Sequence, residues 1–165
     1  MNKKKIFIAV DTNKISRAKR IIRDTQTNKI KIGYKFGLEF FYSKEGRKFI
    51  SRLKNQTIFL DLKLNDIPNT VRSAMKSLKD LKISYLTVHL TSGLSALKAL
   101  KQNSKNIKIA GVTTLTSLNN KDLKEIGFDK EVNKLVIHQA KLARKAKLDA
   151  IVCSGHEIRS VKRVF

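Results

Sequence analysis

Cysteine occurs once in the 165 residues, at Cys153. A single thiol excludes an internal disulfide, and without a second cysteine or a nearby histidine pair there is no zinc-binding spacing, so no metal site is expected. One proline and seven glycines leave no Gly- or Ser-rich linker, and a single domain over residues 1–165 is expected. Apolar runs are short as well. The first lies behind the basic start Met1, Asn2, Lys3, Lys4, Lys5 and stops at Val10 against Asp11. That is too short for the apolar region of a signal peptide or for a membrane span, so a cytoplasmic protein without a membrane partner is expected. Acidic residues are scarce, 13 against 36 Lys and Arg, for a formal charge of +23. Such a surplus would suit nucleic acid if it were clustered or interleaved with aromatics. Here it is spread over the whole length, which reads as a lysine-rich solvated surface. Its positive field would attract a small polyanion. No nucleic-acid partner is expected, and a basic nucleic-acid-binding module stands as the rival from another class.

What the chain does have is alternation. Short runs rich in Ile, Val and Phe are separated by longer stretches of helical period, the pattern of parallel strands with helical crossovers, so the class is α/β. The runs place strands at Ile6–Val10, Lys29–Gly33, Thr57–Leu62, Tyr85–His89, Ile107–Thr113 and Ala150–Cys153. Helical spacing is clear in Val71, Ala74, Met75, Leu78 and Leu81, and again from Val132 through Ala146. Polar or reactive groups close the strands: Asp11, then Lys31 within the second, Asp61 with Lys63, His89, Thr113 with Thr116, and Cys153 with Ser154. Any one is an ordinary strand-end residue. Their recurrence favours a (β/α)8 barrel, which assembles its active site at the C-terminal ends of its strands. An open sheet is disfavoured because no glycine-rich phosphate loop follows the first strand.

The third strand carries the densest chemistry. Alternation puts Asp61 and Lys63 on one face, roughly 7 Å apart, with Leu60 and Leu62 on the other. A charge on a barrel's inner wall needs an opposite charge beside it. Asp66 follows, and Lys31 and Asp11 could extend the alternation of sign. Flanking carboxylates favour a protonated Lys63, an acid able to deliver a proton. Taken alone, Asp-x-Lys-x-x-Asp also fits a solvated surface strand. The sequence continues Ile67, Pro68, Asn69, Thr70, and Asp61–Thr70 as a whole resembles the signature of the orotidine 5'-phosphate decarboxylases. The resemblance extends through Ile8–Asp11, Lys31–Gly33, Thr113–Ser117 and Val152–Ser154, in order and spacing.

That resemblance implies a TIM-barrel fold and conversion of orotidine 5'-phosphate to uridine 5'-phosphate and carbon dioxide, with no cofactor. It implies that Lys63 protonates C6 of the pyrimidine, that Asp61 lies near the substrate carboxylate, and that Lys31 joins the charged array and contacts the ribose. Asp11 matches a ribose ligand and Thr116 a pyrimidine ligand. Asp66, Ile67 and Thr70 match residues that reach a partner's active site, which implies a homodimer with shared sites. His89 is expected to be a hydrogen-bonded structural histidine, Cys153 a small buried hydrophobe, and the pair Tyr34 and Lys35 a strand-end turn. Two other enzymatic readings stay open: a related magnesium-dependent sugar-phosphate decarboxylase or aldolase, and a Schiff-base aldolase.

A complete barrel has eight strands and about 250 residues. Only about six of eight strand–helix units are expected here, so the barrel is expected to be incomplete, with the phosphate-binding loops that follow the last two strands outside this sequence. The expectation is a C-terminally truncated copy, inactive or nearly so, with an open edge prone to association.

Overall fold

The structure, a computed structural model, describes residues 5–165. The basic start at Met1–Lys4 lies outside the described residues. Six strands are described: β1 (Lys5–Ala9), β2 (Lys31–Gly37), β3 (Thr57–Leu64), β4 (Tyr85–His89), β5 (Lys108–Val112) and β6 (Ala150–Val152). They form one sheet in chain order, and β1 with β2, β2 with β3 and β5 with β6 pair in parallel. A doubly wound open sheet reverses direction at a switch point, whereas this order never reverses, as in a singly wound barrel. Six strand–helix units are present.

Eight helices connect and follow the strands: α1 (Ile15–Asp24), α2 (Leu38–Tyr42), α3 (Gly46–Arg52), α4 (Pro68–Ser77), α5 (Gly93–Asn103), α6 (Asn120–Glu125), α7 (Val132–Lys145) and α8 (Ile158–Lys162). Each longer helix buries one stripe. In α7 the buried residues are Leu135, Val136, Gln139, Ala140 and Ala143, the spacing of a single helix face. Pro68 opens α4, where a missing N–H costs nothing.

The chain forms two compact units. The first is Met1–Leu62 with Ser77–Leu86, and the second is Lys63–Lys76 with Thr87–Phe165. Their boundary runs through β3 and β4 and not through a linker. In the first unit, Tyr34, Phe36, Ile58 and Leu60 are buried on one side of the sheet. Phe36, Phe40 and Phe49 cluster with centroid distances of 4.8 to 6.4 Å. On the other side Phe7, Phe59 and Tyr85 form a triangle at 5.1 to 5.6 Å, in which Phe7 meets both other rings edge to face. In the second unit, Val136 and Ala140 of α7 and Val161 of α8 form a core against which Ile151 and Cys153 pack.

β2 departs most from expectation, beginning two residues later than predicted and running four residues further. Gly33 is interior to it and ends nothing. A Cβ there would stand 2.5 Å from the Phe7 ring, so the glycine serves a close approach across β1 and β2. Tyr34 and Lys35 are therefore strand residues and not a turn, and the Tyr34 hydroxyl donates to the Ile22 carbonyl at 3.0 Å.

Candidate active site

In the first unit, β3 alternates buried Ile58 and Leu60 with half-buried Phe59 and Asp61. Asp61 pairs in register with Gly37 at the end of β2. Lys35, two residues earlier on β2, lies on the same side of the sheet and donates from Nζ to Asp61 Oδ2 at 3.2 Å. The two side chains are 28% and 13% exposed, so the pair is shielded more than a surface bridge and sits beside the aromatic triangle. Lys31 does not reach this place. It opens β2, exposed, in register with Lys5 at the opposite end of the strand. Lys35 holds the position in the array that the sequence had suggested for Lys31. Asp11 follows β1 two residues after Ala9, the register partner of Lys35, and is exposed.

The second unit begins at Lys63. This lysine has φ of 47°, in the left-handed region, although it lies within β3. The other non-glycine residues with positive φ among the described residues, Asn55, Lys105 and Lys147, lie in turns or bends. Left-handed backbone costs an L residue roughly 1–2 kcal/mol, so its surroundings must hold it there. The Lys63 N–H donates to the Thr87 hydroxyl at 2.8 Å. Two residues on, Asn65 Oδ1 accepts from Ser92 Oγ at 2.9 Å, in the short 3-10 turn after β4.

Asp66 accepts the Ile67 N–H at 2.7 Å, ordering the entry to α4. Asp66, Ile67 and Thr70 are all exposed, Ile67 at 65%. The loop after β5 is tied down by a residue that reads in sequence only as part of a helical stripe. Buried Gln139 accepts from both the N–H and the hydroxyl of Thr114, at 2.8 and 3.2 Å. Thr113 spends its hydroxyl on the Val152 carbonyl at 3.1 Å, and Thr116 is exposed in the turn beyond. His89 ends β4 and, with Asn65, Thr91, Thr113 and Gln139, lines a hollow of about 290 Å³ whose floor is apolar. A larger hollow of about 560 Å³ between α1 and α3 contains none of these residues. Cys153 is half-buried, and burial first, then the Glu157 carboxylate, pushes its thiol above the ordinary value, which disfavours the nucleophilic thiolate. Among the described residues no three His, Cys, Asp or Glu side chains converge as a metal site, and no helix is long and apolar enough to cross a membrane.

A singly wound sheet of this kind has counterparts in known proteins. The family described as "Orotidine 5'-phosphate decarboxylase / HUMPS family" matches residues 4–164. The chain belongs to this family. It is 39% identical over 163 residues to the orotidine 5'-phosphate decarboxylase of Sphingopyxis alaskensis, covering 97% of this chain and 71% of that one. With the orotidine 5'-phosphate decarboxylase of Carboxydothermus hydrogenoformans the identity is 36% over 170 residues, covering 97% and 70%. The crystal structure of orotidine 5'-phosphate decarboxylase from Lactobacillus acidophilus superposes with a TM-score of 0.86 at 29% identity, covering 96% of this chain and 75% of that chain. This orotidine 5'-phosphate decarboxylase family member therefore spans about 70% of the length of its two relatives. The fold is that of the TIM-barrel decarboxylases, and the family is one of carboxy-lyases acting on a small molecule.

The sequence singles out Asp61, Lys63, Asp66 and Thr116 by the family signature and the strand ends. It does not single out the ties that Lys35, Thr87 and Gln139 make in the structure. The signal for Lys35 was present, because the alternation Ile30, Ile32, Tyr34, Phe36 carries the strand past Gly33. No sequence signal marks Thr87 or Gln139, whose roles come from hydrogen bonds between distant segments.

Proposed function

We propose that this chain carries the acid–base centre that decarboxylates orotidine 5'-phosphate, with Lys63 as the proton donor. In this reading the bond from C6 to the carboxylate breaks, carbon dioxide leaves without the electron pair, and the pair at C6 takes a proton from the Lys63 ammonium. Asp61 stands near the substrate carboxylate. Its negative charge opposes the bound carboxylate and relaxes as neutral carbon dioxide forms, so the interaction favours the transition state over the ground state. Lys35 pairs with Asp61 and, with Asp11, faces the ribose. Thr116 contacts the pyrimidine. Asp66, Ile67 and Thr70 complete the site of a second copy in a homodimer, a role that suits an isoleucine left 65% exposed beside the array.

The observation that carries the reading is the strained, left-handed backbone of Lys63 within β3. A charge pair alone would serve stability. Strain at the one lysine that the family signature makes the donor points to chemistry. The test is decarboxylation of orotidine 5'-phosphate by the protein that carries this chain, with and without Lys63→Ala and with excess chelator. Lys63→Ala is expected to lower turnover by at least about 10³-fold with an unchanged circular dichroism spectrum, and chelator to change nothing. Turnover surviving in Lys63→Ala would remove Lys63 from the role. Loss of turnover in chelator would favour the magnesium-dependent relatives.

A further inference from the structure

Thr87 sits at the centre of β4, fully buried between buried Leu86 and Val88. A buried hydroxyl needs a partner, and a buried backbone N–H needs one equally. Here one contact serves both, since the Lys63 N–H donates to Thr87 Oγ1 at 2.8 Å. Lys63 is also the one non-glycine residue with positive φ inside a described strand. A strained conformation persists only where its surroundings over-determine it. Thr87 is well suited to do so, because a β-branched side chain in a packed strand has little rotameric freedom. The segment is held again beyond Lys63, where Ser92 donates to Asn65 at 2.9 Å from the turn that follows the same strand. β4 thus grips β3 on either side of the lysine side chain.

We propose that Thr87 is a positioning residue for the decarboxylation: it fixes the left-handed backbone of Lys63 and thereby aims the ammonium at the reacting carbon. This rests on Lys63 being the proton donor. Thr87 would act through the backbone of Lys63, whose N–H its hydroxyl accepts. The bland alternative is that Thr87 only fills the core. Valine, of nearly the same shape, would then replace it without loss, and serine, with less volume, would be the worse substitute. The positioning role reverses that order. Without the hydroxyl, Lys63 loses the partner for its N–H and relaxes towards ordinary strand geometry, and a displacement of about 1 Å at a reacting group can cost on the order of 10²-fold in rate.

The experiment compares Thr87→Val, Thr87→Ser and wild type in the protein that carries this chain, by decarboxylation kinetics and by hydrogen exchange of the Lys63 amide. Thr87→Val is expected to lower kcat about 30- to 100-fold with KM within about threefold, and Thr87→Ser to restore most of kcat. The Lys63 amide is expected to exchange at least about tenfold faster in Thr87→Val, with the Val88 amide unchanged. Wild-type kcat in Thr87→Val, or serine no better than valine, overturns the proposal. Where turnover is too slow to compare, the exchange arm decides, and an unchanged Lys63 amide overturns it. If Thr87→Val does not fold, Thr87→Ala against Thr87→Ser isolates the hydroxyl and is scored in the same way. Lys63→Ala keeps the two assignments apart: activity surviving there defeats the donor assignment, whereas a dead Lys63→Ala beside a fully active Thr87→Val defeats only the positioning role.

Discussion

At the level of single residues, Lys35 and Asp61 form a shielded ion pair near the C-terminal ends of β2 and β3. Asp61 is only 13% exposed and pairs with Lys35 at 3.2 Å, so removing the lysine leaves a poorly solvated carboxylate with less compensation. Lys35→Met is therefore expected to cut turnover by about 10²-fold or more, whereas Lys31→Met, at the exposed start of β2, is expected to leave turnover within about twofold. Steady-state kinetics of the two variants side by side checks this. Equal losses would mean that Lys35 is not the lysine of the array. Both lysines are visible in the sequence, four residues apart on an alternating run. Choosing between them depended on how far the strand continues, and residue identity does not fix that. The close approach of Phe7 to Gly33 does, and it is a contact between two strands.

Elements were legible to the extent that their burial follows a period. β4 was placed to the residue and α7 follows the helical spacing that marked it, whereas α4 ends at Ser77, before the Leu78 and Leu81 that the spacing had included. Ties between elements were not legible, because a hydrogen bond between segments dozens of residues apart leaves no local pattern. Gln139 holding the loop after β5 is one example, and Asp149 is another. Asp149 lies just before β6, accepts the Ile109 N–H of β5 at 2.7 Å, and meets Lys101 in the last turn of α5 at 2.6 Å. It closes the N-terminal end of the β5–β6 pair, the end of a barrel associated with stability and not catalysis. Hydrogen bonds to a charged, partly shielded group contribute roughly 1.5–3 kcal/mol. Asp149→Ala should thus lower the unfolding free energy by about 2 kcal/mol, and Asp149→Asn, which keeps an acceptor for Ile109, by about half as much. Urea denaturation reads both, and an alanine variant as stable as wild type would show that the tie contributes nothing.

The largest-scale property of the molecule is its charge. With 36 Lys and Arg against 13 Asp and Glu, most cations have no carboxylate to pair with, and several carboxylates are already taken by Lys35, Arg47 and Lys101. The surplus is a solvated field, and two partners would feel it differently. A nucleic-acid module concentrates cations on one surface, releases counterions on binding, and loses affinity steeply with salt. A small anionic substrate is instead guided towards a positively charged protein, so salt slows its capture and leaves the chemical step alone. The two can be separated with one salt series. Between about 0.01 M and 1 M salt the screening length falls from roughly 30 Å to roughly 3 Å. Over that range kcat/KM for orotidine 5'-phosphate is expected to fall by about tenfold or more while kcat stays within about twofold. Duplex DNA should bind only weakly and with a shallow slope, because these basic residues are scattered along the whole sequence. A salt-independent kcat/KM would show that the field plays no part in capture. Tight DNA binding that loses about 10³-fold between 50 and 200 mM salt would assign the charge to nucleic acid instead.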